Sequence, residues 1–243
     1  MKKHIPNLVT LLNLLSGTIA LLLVMLHEPV PAFWFVVASL VFDFSDGLLA
    51  RMLKARSEVG KQLDSLADVV SFGLVPAMMI FMVLKAVMGA PGKVVSGGGL
   101  LGGHTFAEQL MLLSVLLVPA LAALRLAKFN LQPASDFFRG LPTPVFAMFW
   151  TGIYYDIFVS QSIFHAEVGS WFFVVVMVFT ALLMVIPLPM LSLKFGNFRL
   201  FPNFSRYLLI ILAALILVFT GVAGLPLVIL TYILLSLVRI LLT

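Results

Sequence analysis

Apolar runs of roughly helical-span length, separated by short polar, glycine- or proline-bearing connections, repeat along the whole chain. They cover residues 8–26, 32–50, 69–88, 106–124, 143–164, 171–186, 207–219 and 225–242. At 1.5 Å of rise per residue, about 20 apolar residues cross a bilayer core, so the pattern predicts eight helices, the seventh being the shortest. The fold class expected is all-α: a polytopic integral membrane bundle of about eight transmembrane helices. No composition shift, low-complexity tract or internal repeat divides the chain, and residues 1–243 read as a single domain with no soluble accessory unit. The first run follows a basic lead, as a secretory signal would. No small-residue cleavage site follows in LHEPVPAFW, so the run is expected to be retained.

Composition and charge sharpen this picture. The chain has 243 residues, 62% of them hydrophobic and 10% charged, with a mean hydropathy of +1.17, far from the balance of a water-soluble domain. The absence of cysteine removes disulfides, thiolate zinc sites and redox motifs. A net charge of +5 could suggest nucleic acid, but the basic residues are dispersed at the ends of apolar runs, which points to topology signals and lipid headgroups, with no nucleic-acid partner. With eight crossings and both termini cytoplasmic, Lys2, Lys3, Arg51, Lys54, Arg56, Lys61, Arg125, Lys128, Arg139, Lys194, Arg199, Arg206 and Arg239 fall inside, and only Lys85 and Lys93 outside. That bias predicts a cytoplasmic (inner) cell-membrane protein. The outer connections carry nothing resembling a site; Gly92-Lys93 lacks the upstream glycine of a phosphate-binding loop.

The chemistry concentrates in one stretch, DFSDGLLARMLKARSEVGKQLDSLAD, from Asp43 to Asp68. On a helix, Asp43, Asp46, Gly47 and Ala50 share about one third of the circumference. Gly60, Asp64 and Asp68 recur every four residues, so they form a second stripe if the third helix already extends that far. Two antiparallel helices then offer two carboxylates each to a common space. Each carboxylate at a membrane helix centre costs on the order of 2.5–3.5 kcal/mol on insertion scales, and four together repel. Hard divalent cations would neutralise them, and all-oxygen ligands favour magnesium, manganese or calcium over zinc. Gly47 leaves room for a bulky group, Arg51 supplies a guanidinium one turn later, and Ser57 a hydroxyl, which together suit a pyrophosphate. Lys54 and Arg56 read as inner-face anchors.

DFSDGLLAR, eight residues, then Gly60, Asp64 and Asp68 at intervals of four resembles the full signature of the CDP-alcohol phosphatidyltransferase family. The resemblance implies a membrane enzyme, usually a homodimer, that displaces CMP from a CDP-linked lipid with an alcohol. It implies two divalent cations (Mg2+ or Mn2+, possibly Ca2+) on Asp43, Asp46, Asp64 and Asp68, with Asp68 also the base that deprotonates the acceptor. It further implies CDP-diacylglycerol contacts from Gly47, Arg51, Ser57 and Gly60, and from Asn7 and Thr10 in IPNLVT.

LRLAKFN (124–130), RGLPTP (139–144) and IPNLVTLLN resemble segments of the bacterial and archaeal phosphatidylserine synthases of that family, with Lys128 where arginine is more usual. The resemblance runs to about Pro144 and implies L-serine as acceptor, with Arg125, Lys128, Asn130 and Arg139 as candidates to hold it. Each of these cations reads equally as a topology anchor. Glycerol 3-phosphate, inositol phosphate or choline remain alternative acceptors, and a divalent-cation transporter an alternative class, although its carboxylates belong nearer the bilayer midplane. His4, His27, His104 and His165 have no mutual ligand spacing. Asn13 either bonds across helices or lines the nucleotide pocket.

Overall fold

The computed structural model describes residues 4–55, 57–89, 104–131, 140–164, 168–191 and 203–242, with side chains up to Val238. Arg139, most of the glycine-rich connection and the segment at 192–202 lie outside the described residues. All regular structure among the described residues is helical. α1 (Ile5–Met25) and α2 (Pro29–Met52) form a hairpin. α3 (Glu58–Asp68), a π-helical segment (Val69–Leu74) and α4 (Val75–Met88) make one 31-residue rod. α5 (Phe106–Ser114) and α6 (Leu117–Leu131) make a second, jointed rod. α7 (Thr143–Tyr155) continues into a π-helical segment (Asp156–Ser160) and is followed by α8 (Ser170–Val185), α9 (Phe204–Thr220) and α10 (Leu225–Leu242).

The apolar runs of the sequence are largely helical, although 106–124 is divided between α5 and α6 and 161–164 lies beyond the helical part of 143–164. Five continuous stretches are long and apolar enough to cross a membrane: Ile5–Met25, Pro29–Met52, Glu58–Met88, Phe106–Leu131 and Phe204–Val238. The last is broken by a 3-10 turn at Gly221–Gly224, where Gly221 takes φ 60° and ψ −146°. The chain doubles back there and α10 packs against α9, with Gly224 close enough to α9 that a Cβ on it would lie 2.8 Å from Ile216 Cγ2. The third helix begins at Glu58, well before its apolar run. Hydrophobicity marks where a helix meets an apolar environment, whereas its hydrogen bonding starts at its cap, here Ser57.

Proline makes the joints in both rods. Pro76 has no N–H for the carbonyl of Phe72 and its ring crowds that carbonyl; the rod widens instead, and the N–H of Val75 reaches back five residues to Val70 O. Pro119 likewise cannot use the carbonyl of Val115, which accepts from Val118 N at 3.0 Å, tightening the turn between α5 and α6.

α7 is apolar all round and lies at the centre, with Phe146, Ala147, Phe149, Trp150, Ile153 and Tyr154 all buried. α9 is peripheral, only Leu209 being buried on it. Trp34, Phe44, Leu110, Val175, Val218 and Phe219 point outward from four different helices. An apolar perimeter of that extent suits lipid, not water, and makes this a multi-pass membrane protein.

Small residues let the helices nearest the acidic stretch approach closely. A Cβ on Gly17 of α1 would sit 2.9 Å from Ser71 Cα in the π-helical segment, and one on Gly73 would lie 3.1 Å from Ala122 Cβ on α6. Gly47 differs, since a Cβ there meets nothing within 4 Å. Gly17→Ala should therefore lower stability in detergent by about 1–3 kcal/mol through overpacking against backbone, while Gly47→Ala should leave it unchanged or slightly raised. Thermal unfolding of the two variants measures the contrast.

Candidate active site and metal centre

The turn after α2 sets the acidic stretch. α2 ends with Lys54 left-handed (φ 49°), Ala55 N donating to Ala50 O at 3.0 Å and Lys54 N to Arg51 O at 3.2 Å, the paired bonds that close a helix C-terminus. Three residues on, Ser57 caps α3, its Oγ accepting from Gly60 N at 3.0 Å. The chain thus leaves α2 and enters α3 within one short, hydrogen-bonded reversal. α1 packs along α2 and against α3, whereas α2 and α3 scarcely touch, so their acidic faces border a gap floored by α1.

Asp43, Asp64 and Asp68 converge on that gap, each offering a carboxylate oxygen within 4.8 Å of the others. Asp68 is buried, while Asp43 and Asp64 are half-buried. Asp46, also buried, stands beside the trio, and its Oδ2 accepts from Thr10 Oγ1 at 2.5 Å. It still repels the others electrostatically. No lysine or arginine among the described residues forms an ion pair with any of the four.

α1 is the floor and carries the polar partners. Asn13 is fully buried and donates through Nδ2 to Asp68 Oδ1 at 3.2 Å. Its own backbone carbonyl accepts from Ser39 Oγ of α2 (3.0 Å) and Ser71 Oγ of the π-helical segment (3.2 Å). Of the two readings open for Asn13, the interhelical hydrogen bond is observed. Ser39 and Ser71 were not legible as site residues: a lone serine in an apolar run has no periodic signal, and only the helix crossing gives it a partner.

Asn7 and Ser57 meet at Gly60, where a Cβ would lie 2.9 Å from Asn7 Oδ1 and 3.0 Å from Ser57 Oγ. These three therefore form one polar corner. Gly47 is exposed beside open space, and Arg51 is exposed with Nε bonded to Gly47 O at 3.0 Å, one turn back on its own helix.

The other basic candidates separate. Arg125 of α6 is half-buried, and its Nη1 donates to Thr143 Oγ1 at 3.0 Å. Its charge acts on both Asp68 and Tyr232 of α10. Lys128 is exposed. Asn130 clamps α6 to α3, donating to Ser65 Oγ at 2.7 Å while its carbonyl accepts from Lys61 Nζ at 2.5 Å. Asp156, which the sequence did not single out, is fully buried at the far end of α7. It accepts from the N–H groups of Ser162, Ile163 and Phe164 and from the Ser162 hydroxyl, so it serves as a staple.

The contrast with Asp156 identifies what the trio lacks. Asp64 Oδ1 and Asn13 Oδ1 are buried with no donor among the described residues. Hard oxygen ligands, an orphaned carboxylate oxygen and no ion pair to lysine or arginine among the described residues fit a divalent ion of the magnesium, manganese or calcium type. A metal binding only the folded state at 100 times its Kd adds about 2.7 kcal/mol. Mg2+ or Mn2+ should accordingly raise the unfolding temperature in detergent, and Asp64→Asn should remove most of that rise without lowering the metal-free value. A wild-type protein indifferent to both ions would show that the cluster is not a metal site.

A family model described as CDP-alcohol phosphatidyltransferase matches residues 3–182. Among curated relatives named CDP-diacylglycerol–serine O-phosphatidyltransferase, one from Mycobacterium leprae is 28% identical over 196 residues, 76% of this chain and 57% of its own length. One from Methanocaldococcus jannaschii is 32% identical over 148 residues, 61% of this chain and 59% of its own. One from Bacillus subtilis is 30% identical over 146 residues, 60% of this chain and 72% of its own. The chain thus spans less than two thirds of the first two. Because the family match runs unbroken through α1, α2 and α3, the three helices that build the acidic gap, the chain belongs to the CDP-alcohol phosphatidyltransferase family.

Proposed function

We propose that the protein transfers the phosphatidyl group of CDP-diacylglycerol to the hydroxyl of L-serine, giving phosphatidylserine and CMP. The observation that carries the reading is the convergence of Asp43, Asp64 and Asp68 inside the family signature. The names of the relatives favour serine as the acceptor. In this reading the chain is one membrane domain over 1–243 with eight crossings. The positive-inside bias puts both termini and the acidic gap on the cytoplasmic side of the cell membrane. Two copies associate as a homodimer.

Asp43, Asp46, Asp64 and Asp68 would hold two divalent ions, Mg2+ or Mn2+, and such ions, when bound, supply positive charge to a pyrophosphate and its departing CMP. The remaining work falls to the chain. Asn7, Thr10, Ser57 and Gly60 line one side of the nucleotide part. Gly47 leaves space for it to pass, and Arg51 is near enough to swing its guanidinium onto a phosphate. The diacylglycerol tails stay in lipid. Asp68, with Oδ1 held by Asn13, takes the serine hydroxyl proton on Oδ2. The serine oxygen bonds to the lipid-side phosphorus as the bond from that phosphorus to the CMP oxygen breaks, in line, with no covalent enzyme intermediate.

Purified protein given CDP-diacylglycerol, a divalent metal and a panel of alcohols should release CMP with serine. Release with glycerol 3-phosphate or inositol phosphate but not serine would refute the acceptor. Asp68→Asn should lower turnover about a hundred- to ten-thousand-fold while CDP-diacylglycerol still binds; undiminished turnover would refute its role as base.

A further inference from the structure

Four residues on and after α6 were candidates to hold the acceptor, and their surroundings differ. Lys128 is exposed, Asn130 is engaged with α3, and Arg139 is outside the described residues. Among the described candidates, Arg125 alone points inward with binding capacity left over. Its Nε is buried and has no hydrogen-bond partner among the described residues. Thr143 Oγ1 occupies Nη1, which leaves the side of the guanidinium formed by Nε and Nη2. That edge presents two parallel N–H groups at the spacing of a carboxylate's two oxygens.

The helix register brings Arg125 to the level of the base, and its charge reaches Asp68. Asn130 of α6 bonds Ser65 of α3, and two turns further along Ala122 meets Gly73. Both contacts belong to one antiparallel register, which sets Arg125 opposite Val70. That is two residues past Asp68, an axial offset of about 3 Å. Thr143 is fully buried at the first turn of α7, the helix at the centre of the bundle. A buried hydroxyl on the most enclosed helix is a rigid post for a long, flexible side chain. Tyr232 of α10, beyond the part of the chain matched by the family, also borders Arg125. It is itself held through its hydroxyl to Leu191 O at 3.3 Å.

We propose that Thr143 is a positioning residue that fixes the Arg125 guanidinium beside Asp68, so that the Nε–Nη2 edge of Arg125 receives the carboxylate of the acceptor. This rests on the serine reading and adds to it the group by which serine is told from other alcohols. The acceptor is then gripped at one end by Arg125 while its hydroxyl is presented to Asp68. An alcohol without a carboxylate leaves the buried Nε–H unpaired and is disfavoured for that reason.

The test compares serine with serinol, which has hydroxyls and an amine but no carboxylate, by CMP release from the metal-loaded protein. Wild type decides the acceptor: activity with serine upholds the underlying reading, and its absence overturns both. Given that activity, Thr143→Val should raise the KM for serine about tenfold or more, with the KM for CDP-diacylglycerol and kcat within about twofold of wild type. Thr143→Ser should restore the wild-type KM. Arg125→Gln should collapse the serine-over-serinol preference, a ratio that does not depend on how much of the variant is folded. An unchanged preference in Arg125→Gln, or an equal loss with serine and serinol, would overturn the proposal while leaving the serine reading intact. A rise in the KM for CDP-diacylglycerol in place of that for serine would also overturn it, assigning Arg125 to the lipid phosphate.

Discussion

Like charges brought together at one end of an apolar bundle are the constraint on which the rest of the site depends. Three carboxylates within 4.8 Å and a fourth beside them, with no lysine or arginine paired to any of them among the described residues, cannot be held by hydrophobic burial alone. Burial removes water and strengthens their repulsion. The surrounding structure offsets this in part with oriented dipoles: Thr10 donates to Asp46 and Asn13 to Asp68. The shortfall that remains, visible in the orphaned Asp64 oxygen, is the physical opening for a divalent cation.

α1 follows from the same constraint. An N-terminal apolar helix could be a mere anchor, yet this one supplies Asn7, Thr10 and Asn13 to the floor of the gap. The carbonyl of Asn13 is gripped from both sides by Ser39 and Ser71. Gly17 lets the π-helical segment come close enough for that grip. The segment itself exists because Pro76 cannot complete an ordinary helical ladder, and it begins at the residue after Asp68. A helix-wide packing arrangement and the placement of a single carboxylate are thus coupled.

The glycines of the bundle do not all serve packing. α2 and α3 scarcely touch beyond their tight reversal, and a Cβ on Gly47 would meet nothing within 4 Å, whereas Gly17, Gly73 and Gly152 are crowded. At Gly17, Gly73 and Gly152 the missing side chain lets another helix approach. At Gly47 no helix packs against the missing side chain, so packing does not account for that glycine.

The sequence by itself determined a helical membrane protein and the stretch that carries its chemistry, because both rest on local periodicity: apolar runs long enough to span, and aspartates three or four residues apart. It determined the shared face of Asp43, Asp46 and Gly47 for the same reason. Whether the second stripe at Gly60, Asp64 and Asp68 was helical depended on a cap, Ser57, that hydrophobicity does not reveal. What only the tertiary structure decided is which residues meet across helices. That Asp46 turns to Thr10, that Asn13 reaches Asp68, that Asn130 is committed to α3 while Arg125 rests on Thr143, all depend on crossing and register between segments distant in the chain. Serine, threonine and asparagine carry no periodic signature in an apolar run, and a polar group's partner is set by packing geometry, which no single helix encodes.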